Sequence, residues 1–131
     1  MTVKSKIKVL LALFPLENHS RGIITVAGML RDAGMEVVLI GNELPERTID
    51  TAIQEDVDVV GISSLDGGHM TIFSEILDGL KKEDRADIMV VAGGVIPLDE
   101  AQELKKMGVA EVFRAGTVTD DVVKFIKGHV G

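Results

Sequence analysis

The residues with the most chemistry in this chain form one short group: Glu17, His19 and Gly22, in the order E-x-H-x-x-G, between an apolar run ending at Leu13 and an amphipathic run beginning near Arg21. A neutral imidazole is a good ligand for a transition metal. A carboxylate on its other ring nitrogen fixes the tautomer and raises its basicity. A lone histidine on a loop is more often solvated and inert, so the assignment turns on what the fold places beside it. Two further stretches offer neighbours: Ser63-x-Leu65 at the end of a later apolar run, and the double glycine Gly93-Gly94 at the end of another. Glycine lets a backbone approach a bulky ligand closely.

The elements that would position these groups alternate without interruption. Apolar, β-branched runs begin at Lys6, Met35, Val57, Asp87 and Val109. Between and after them lie stretches with apolar residues at helical spacing: 20–34, 45–56, 69–83, 98–108 and 118–130. Continuous apolar strands are what a parallel sheet covered on both faces requires. The expected architecture is therefore α/β: a single domain over residues 1–131, a flavodoxin-like, doubly wound, five-stranded parallel sheet of order 2-1-3-4-5 with helices on both faces. In such sheets ligands sit outside the carboxyl ends of the strands, which is where all three stretches fall.

Composition narrows the function. A net charge of −7 argues against nucleic acid as partner, and 3% aromatic residues argue against base-stacking platforms. The absence of cysteine excludes a disulfide scaffold, a thiolate metal site and a cysteine nucleophile. The apolar run after the N-terminal lysines is rich in strand formers and lacks a small-residue cleavage site, so a first strand is expected there rather than a signal peptide. No run approaches the roughly 20 apolar residues of a membrane span, and the expected location is cytoplasmic. Two common tenants of the fold fail on residues. A phosphoacceptor receiver needs acidic groups after the first strand, an aspartate ending the third and a lysine ending the fifth, where this chain has Phe14 to Leu16, Ser63 and Arg114. A flavodoxin needs a hydroxyl-rich phosphate loop after the first strand, and a G-x-G-x-x-G fingerprint is also missing.

E-x-H-x-x-G, S-x-L and G-G, in that order and on those loops, resemble the cobalamin-binding domains whose pattern is D-x-H-x-x-G, S-x-L, G-G. "LRDAGMEV", "AIQEDVDVVGISSL", "GGHMTIF" and "VVAGGVIP" are similar to the cobalamin domain of acyl-CoA mutases of the methylmalonyl-CoA mutase type. The resemblance spans roughly Lys6 to Ile126. It implies adenosylcobalamin bound base-off, with His19 as lower cobalt ligand and the displaced benzimidazole tail in a groove between sheet and helices. Carried over by position, Glu17, Ser20 and Arg21 would stand beside that ligand, and Gly22 would open the first helix and clear the tail. Ser63 would hydrogen-bond the benzimidazole with Leu65 and Gly67 nearby, Gly93 and Gly94 would let the backbone pass it, and Gly116 and Thr117 would line the pocket near the corrin edge. His69 and His129 are expected to be surface residues.

The implied function is that of the cobalamin-binding small subunit of an isomerase that rearranges the carbon skeleton of an acyl-CoA after homolysis of the cobalt–carbon bond. It would be inactive alone, would work with a large TIM-barrel subunit holding the acyl-CoA, and would be served by a G-protein metallochaperone. Departures from the pattern cluster at the ligand relay. Glu17 replaces the family's aspartate, Leu13 its bracing lysine, Pro15 and Asn18 two glycines, and Arg114 and Ala115 a glycine and a proline. They keep open an alternative, a non-catalytic cobalamin carrier or sensor. A corrinoid protein for methyl transfer and a plain interaction module are further alternatives.

Overall fold

Each apolar run forms a strand and each amphipathic run a helix, in the order β1 (Lys8–Phe14), α1 (Arg21–Asp32), β2 (Glu36–Gly41), α2 (Pro45–Gln54), β3 (Val59–Ser64), α3 (His69–Lys82), β4 (Met89–Gly94), α4 (Leu98–Met107), β5 (Glu111–Arg114) and α5 (Thr119–His129). The structure, a computed structural model, describes residues 6–14, 21–41, 45–64, 69–94, 96–114 and 119–130. All strand pairs are parallel and the sheet order is β2-β1-β3-β4-β5, as the alternation of elements predicts. No helix among the described residues is long and apolar enough to cross a membrane.

Successive strand side chains point to opposite faces, and here both faces are apolar. Leu10, Ala12, Val60, Ile62, Val90 and Ala92 pack against α2, α3 and α4 through Ala52, Phe73, Ile76, Leu80, Ala101 and Leu104. The alternate residues Val9, Leu11, Val59 and Val91 pack against α1 and α5 through Ala27, Leu30, Val122, Val123 and Ile126. Two helices on one face and three on the other complete the doubly wound arrangement.

The strands β2, β3 and β5 start later than the apolar runs that encode them, and the helix ends explain why. After each of the first four helices the chain takes a left-handed residue: Gly34 (φ 90°), Asp56 (φ 51°), Asp84 (φ 58°) and Gly108 (φ 126°). The N–H of the next residue then reaches back five positions, Met35 to Leu30, Val57 to Ala52, Arg85 to Leu80 and Val109 to Leu104, at 2.8–3.1 Å. These are Schellman caps, which satisfy helix-end carbonyls, and in three of the four an apolar residue follows the left-handed one. Met35, Val57 and Val109 belong to the caps rather than to the strands that follow.

Charged side chains tie the amino edge of the sheet. The Lys8 ammonium lies 2.8 Å from Glu55 and 3.8 Å from Glu36, and the Lys8 N–H donates to Asp58 Oδ2 at 2.9 Å. Arg85 bridges Asp56 (2.9 Å) and Asp87 (3.1 Å). Lys105 pairs with Glu111 at 2.6 Å, joining the end of α4 to the start of β5. Burial alone would push the Glu111 carboxyl up, but the Lys105 ammonium, the Val112 N–H and the nearby His129 outweigh it and hold the group below its usual range.

Two tests follow. A left-handed conformation costs a non-glycine residue energy that glycine does not pay, so Asp84→Gly should stabilise the fold by about 0.5 kcal/mol and raise the melting temperature by roughly 2 °C; an unchanged or lower value would show that the Asp84 side chain, not its φ, matters. A carboxylate depressed in the folded state stabilises above its unfolded pKa and loses that contribution as pH falls through the folded value. Glu111→Gln should therefore melt below the wild type at neutral pH, with the gap closing as the pH is lowered to about 3; a gap independent of pH would contradict the ion-pair account.

Candidate cofactor-binding site

Topology locates a site before any side chain is considered. The chain leaves β1 for β2 on one side and continues through β3 on the other, so the winding direction reverses between β1 and β3. The crossovers diverge there and leave a crevice at the carboxyl ends of these two strands, where open α/β sheets bind ligands.

Register decides which residues share that edge. Leu13 is level with Gly41 and Ser63, Ser63 with Gly93, and Gly93 with Phe113. The next rung carries Phe14, Ser64, Gly94 and Arg114. The S-x-L and G-G stretches, far apart in sequence, thus end on neighbouring strands at the same height. Leu13 of β1 stands on the same rung. The inner rung of Gly41, Leu13, Ser63, Gly93 and Phe113 has no ionisable residue, unlike the amino edge.

The two-residue period puts Ser63 and Gly93 on the face of Val59 and Val91, beneath α1 and α5. One position deeper on that face is Gly61. From core to edge the centre of the face is Gly61, then Ser63 beside Gly93: a strip with little side chain, flanked by two helices that begin at this edge, at Arg21 and Thr119. Gly61 is buried, whereas Ser63 and Gly93 keep partial exposure. Among the described residues, the nearest atom to a Cβ on Gly93 would be the Phe113 carbonyl oxygen, at an ordinary 3.5 Å. No described residue crowds that position, so a methyl there would be tolerated by the packing of the described residues. On the β5 side the strip is bounded by Phe113, whose ring meets Phe125 of α5 edge-on with centroids 5.7 Å apart. His129, exposed as expected, stacks on Phe125 at 4.1 Å with its Nδ1 2.8 Å from the Phe125 carbonyl oxygen.

Of the residues named from sequence, the structure brings Ser63, Gly93 and Gly94 together, and Arg21 and Gly22 open α1. Glu17, His19, Ser20, Leu65, Gly67, Gly116 and Thr117 lie outside the described residues, as do Pro15, Asn18 and Ala115. Those stretches follow directly on the ends of β1, β3 and β5, three strands whose last residues share the outer rung. Among the described residues no cluster of histidine and carboxylate side chains could hold a metal ion; the candidate ligand, His19, is not one of them. Sequence reasoning passed over Gly61 and Phe113. A glycine interrupting an apolar β run signals close approach by another group, and that cue was available for Gly61. Phe113 had no cue, because its place is set by strand pairing.

Comparison with known proteins agrees with this geometry. The B12 binding domain family matches residues 7–124. The chain is 42% identical over 128 residues to the 2-hydroxyisobutanoyl-CoA mutase small subunit of Aquincola tertiaricarbonis, covering 97% of this chain and 94% of that one. It is 38% identical over 122 residues to methylmalonyl-CoA mutase of Rhizobium meliloti (strain 1021), covering 92% of this chain but 17% of that much longer one. The crystal structure of a cobalamin-binding protein from Desulfitobacterium hafniense DCB-2 superposes with a TM-score of 0.82 over 97% of this chain and 60% of the other, at 24% identity, a likeness of fold alone. With its motifs on the carboxyl edge and the family match running nearly end to end, the chain belongs to the B12-binding domain family.

Proposed function

We propose that the chain is the cofactor-binding small subunit of an adenosylcobalamin-dependent acyl-CoA mutase, a carbon-skeleton isomerase, and that it holds the corrinoid base-off with His19 as lower cobalt ligand. The observation that carries this is the Ser63–Gly93 rung: a neutral, nearly side-chain-free strip beside the switch point, at whose glycine no described residue crowds in. A flat heteroaromatic tail fits such a strip, and an ionised or bulky group does not. The 42% identity to the 2-hydroxyisobutanoyl-CoA mutase small subunit, over 97% of this chain and 94% of that one, supports the small-subunit reading.

In this arrangement Ser63 would donate its hydroxyl hydrogen to the benzimidazole, and Leu65 and Gly67 would bind beside it. Gly93 and Gly94 would let the backbone pass the tail, and Gly22 would clear it at the start of α1. Glu17 would accept from the His19 N–H and so fix the tautomer that offers the other nitrogen to the metal. Ser20, Arg21, Gly116 and Thr117 would complete the residues that hold the cofactor. Bound adenosylcobalamin supplies a weak cobalt–carbon bond whose homolysis starts the radical chemistry, while the protein binds and orients it. A large TIM-barrel subunit would hold the acyl-CoA, as the similarity to acyl-CoA mutases implies. A G-protein metallochaperone and a cytoplasmic location complete the reading, and alone the chain turns nothing over. A second reading, a non-catalytic carrier or sensor, is favoured by one specific feature: Glu17 and Leu13 stand where mutases keep aspartate and lysine.

Titration of the full chain with adenosylcobalamin, with and without a large subunit, followed by paramagnetic resonance of the cobalt(II) form, tests the ligand. Histidine nitrogen coupling in the wild type and its loss in His19→Ala are expected. Bound cofactor without that coupling would favour the carrier or sensor, and no binding under either condition would end the cobalamin reading. Gly93→Ala should melt within about 2 °C of the wild type yet bind cobalamin at least roughly tenfold more weakly. Equal affinity would show that the tail does not cross that strand.

A further inference from the structure

Two glycines share the α1/α5 face of the central strands, and they are spared a side chain for opposite reasons. At Gly93 an added Cβ would meet, among the described residues, only the Phe113 carbonyl oxygen, at an ordinary 3.5 Å. Gly61 is filled from within: a Cβ there would lie 2.7 Å from Leu11 Cδ2 and 3.5 Å from Val91 Cγ2. Leu11, level with Gly61 on β1, therefore projects a methyl into the space that a side chain at 61 would occupy. Leu11 itself is 5% exposed and belongs to the core beneath α1 and α5. The boundary between packed core and open strip falls between the rung of Leu11, Gly61 and Val91 and the rung of Ser63 and Gly93, one side-chain repeat or about 6.6 Å further along the strand.

We infer that Leu11, seated over Gly61, is the floor of the tail groove and sets how deep a corrinoid's nucleotide base enters beneath α1 and α5. Leu11 is thus a positioning residue, and the pair Leu11/Gly61 selects for tail length and thickness. This rests on the proposal that the chain binds cobalamin base-off. If the base comes to rest on Leu11, its height matches the Ser63 hydroxyl. A raised floor would lift the base away from that hydroxyl, and a lowered one would leave a void beneath it.

The probes are cobalamin and cobinamide, which has the same corrin ring but no nucleotide base. They are titrated into the full chain under whichever condition, with or without a large subunit, gives wild-type binding. The wild type should prefer cobalamin by at least about tenfold. Gly61→Ala, whose new methyl displaces the Leu11 branch, should weaken cobalamin roughly tenfold and leave cobinamide within about twofold. Leu11→Val removes one methylene, folds even if Gly61→Ala does not, and should weaken cobalamin several-fold in the same selective way. The double variant exchanges volume across the contact and should recover wild-type cobalamin affinity to within roughly twofold. Parallel changes for both corrinoids, or no recovery in the double variant, would reduce Leu11 to a structural role and overturn the inference. A wild type that binds both corrinoids equally removes the tail from the groove, and one that binds neither removes the cobalamin proposal itself.

Discussion

In a parallel sheet covered on both sides, no strand can slide by one residue. A slip would turn Val9 and Leu11 of β1, or Val59 and Gly61 of β3, from the α1/α5 face to the α2/α3/α4 face, and would do the reverse to Leu10, Ala12, Val60 and Ile62. Both cores would be lost at once. That constraint aligns Leu13, Ser63, Gly93 and Phe113 on one rung and puts Phe14, Ser64, Gly94 and Arg114 on the next. The site is a by-product of core packing: its heights are set by residues that never touch a ligand.

The two edges of the sheet are built differently. The amino edge is charged, with Lys8, Glu55, Glu36, Asp58, Arg85, Asp56 and Asp87 in contact, and the helices feeding it end in Schellman caps. Exposed ion pairs of this kind contribute about 0–1 kcal/mol each, so they trim that edge more than they hold the fold. The carboxyl edge has glycine and serine where a packed core would have branched side chains. This is the usual trade at a binding edge: side-chain contact is given up so that a ligand can supply it.

The fold does not choose between the tenants of a doubly wound sheet. The discrimination comes from what stands at each strand end. Ser63 stands in place of a phosphoacceptor aspartate and Arg114 in place of the receiver lysine, which argues against phosphotransfer, while Ser63 next to Gly93 leaves a neutral slot. The match to the B12 binding domain family over residues 7–124 points the same way.

Period and punctuation in the sequence determined the ten elements, their types and their parallel order, because apolar runs bounded by glycine and amphipathic runs at helical spacing have few other ways to bury their surface. They also determined which loops carry chemistry, since E-x-H-x-x-G, S-x-L and G-G all follow strands. Strand starts were less legible: Met35, Val57 and Val109 look like strand residues by hydrophobicity, and only the five-back hydrogen bonds assign them to helix caps. Tertiary structure alone decided that Ser63 lies beside Gly93, that Phe113 bounds the strip, and that Leu11 fills Gly61 while no described side chain fills Gly93. Those facts depend on register and facing between strands distant in the chain, and a local pattern has no information about what a neighbouring strand presents at the same height.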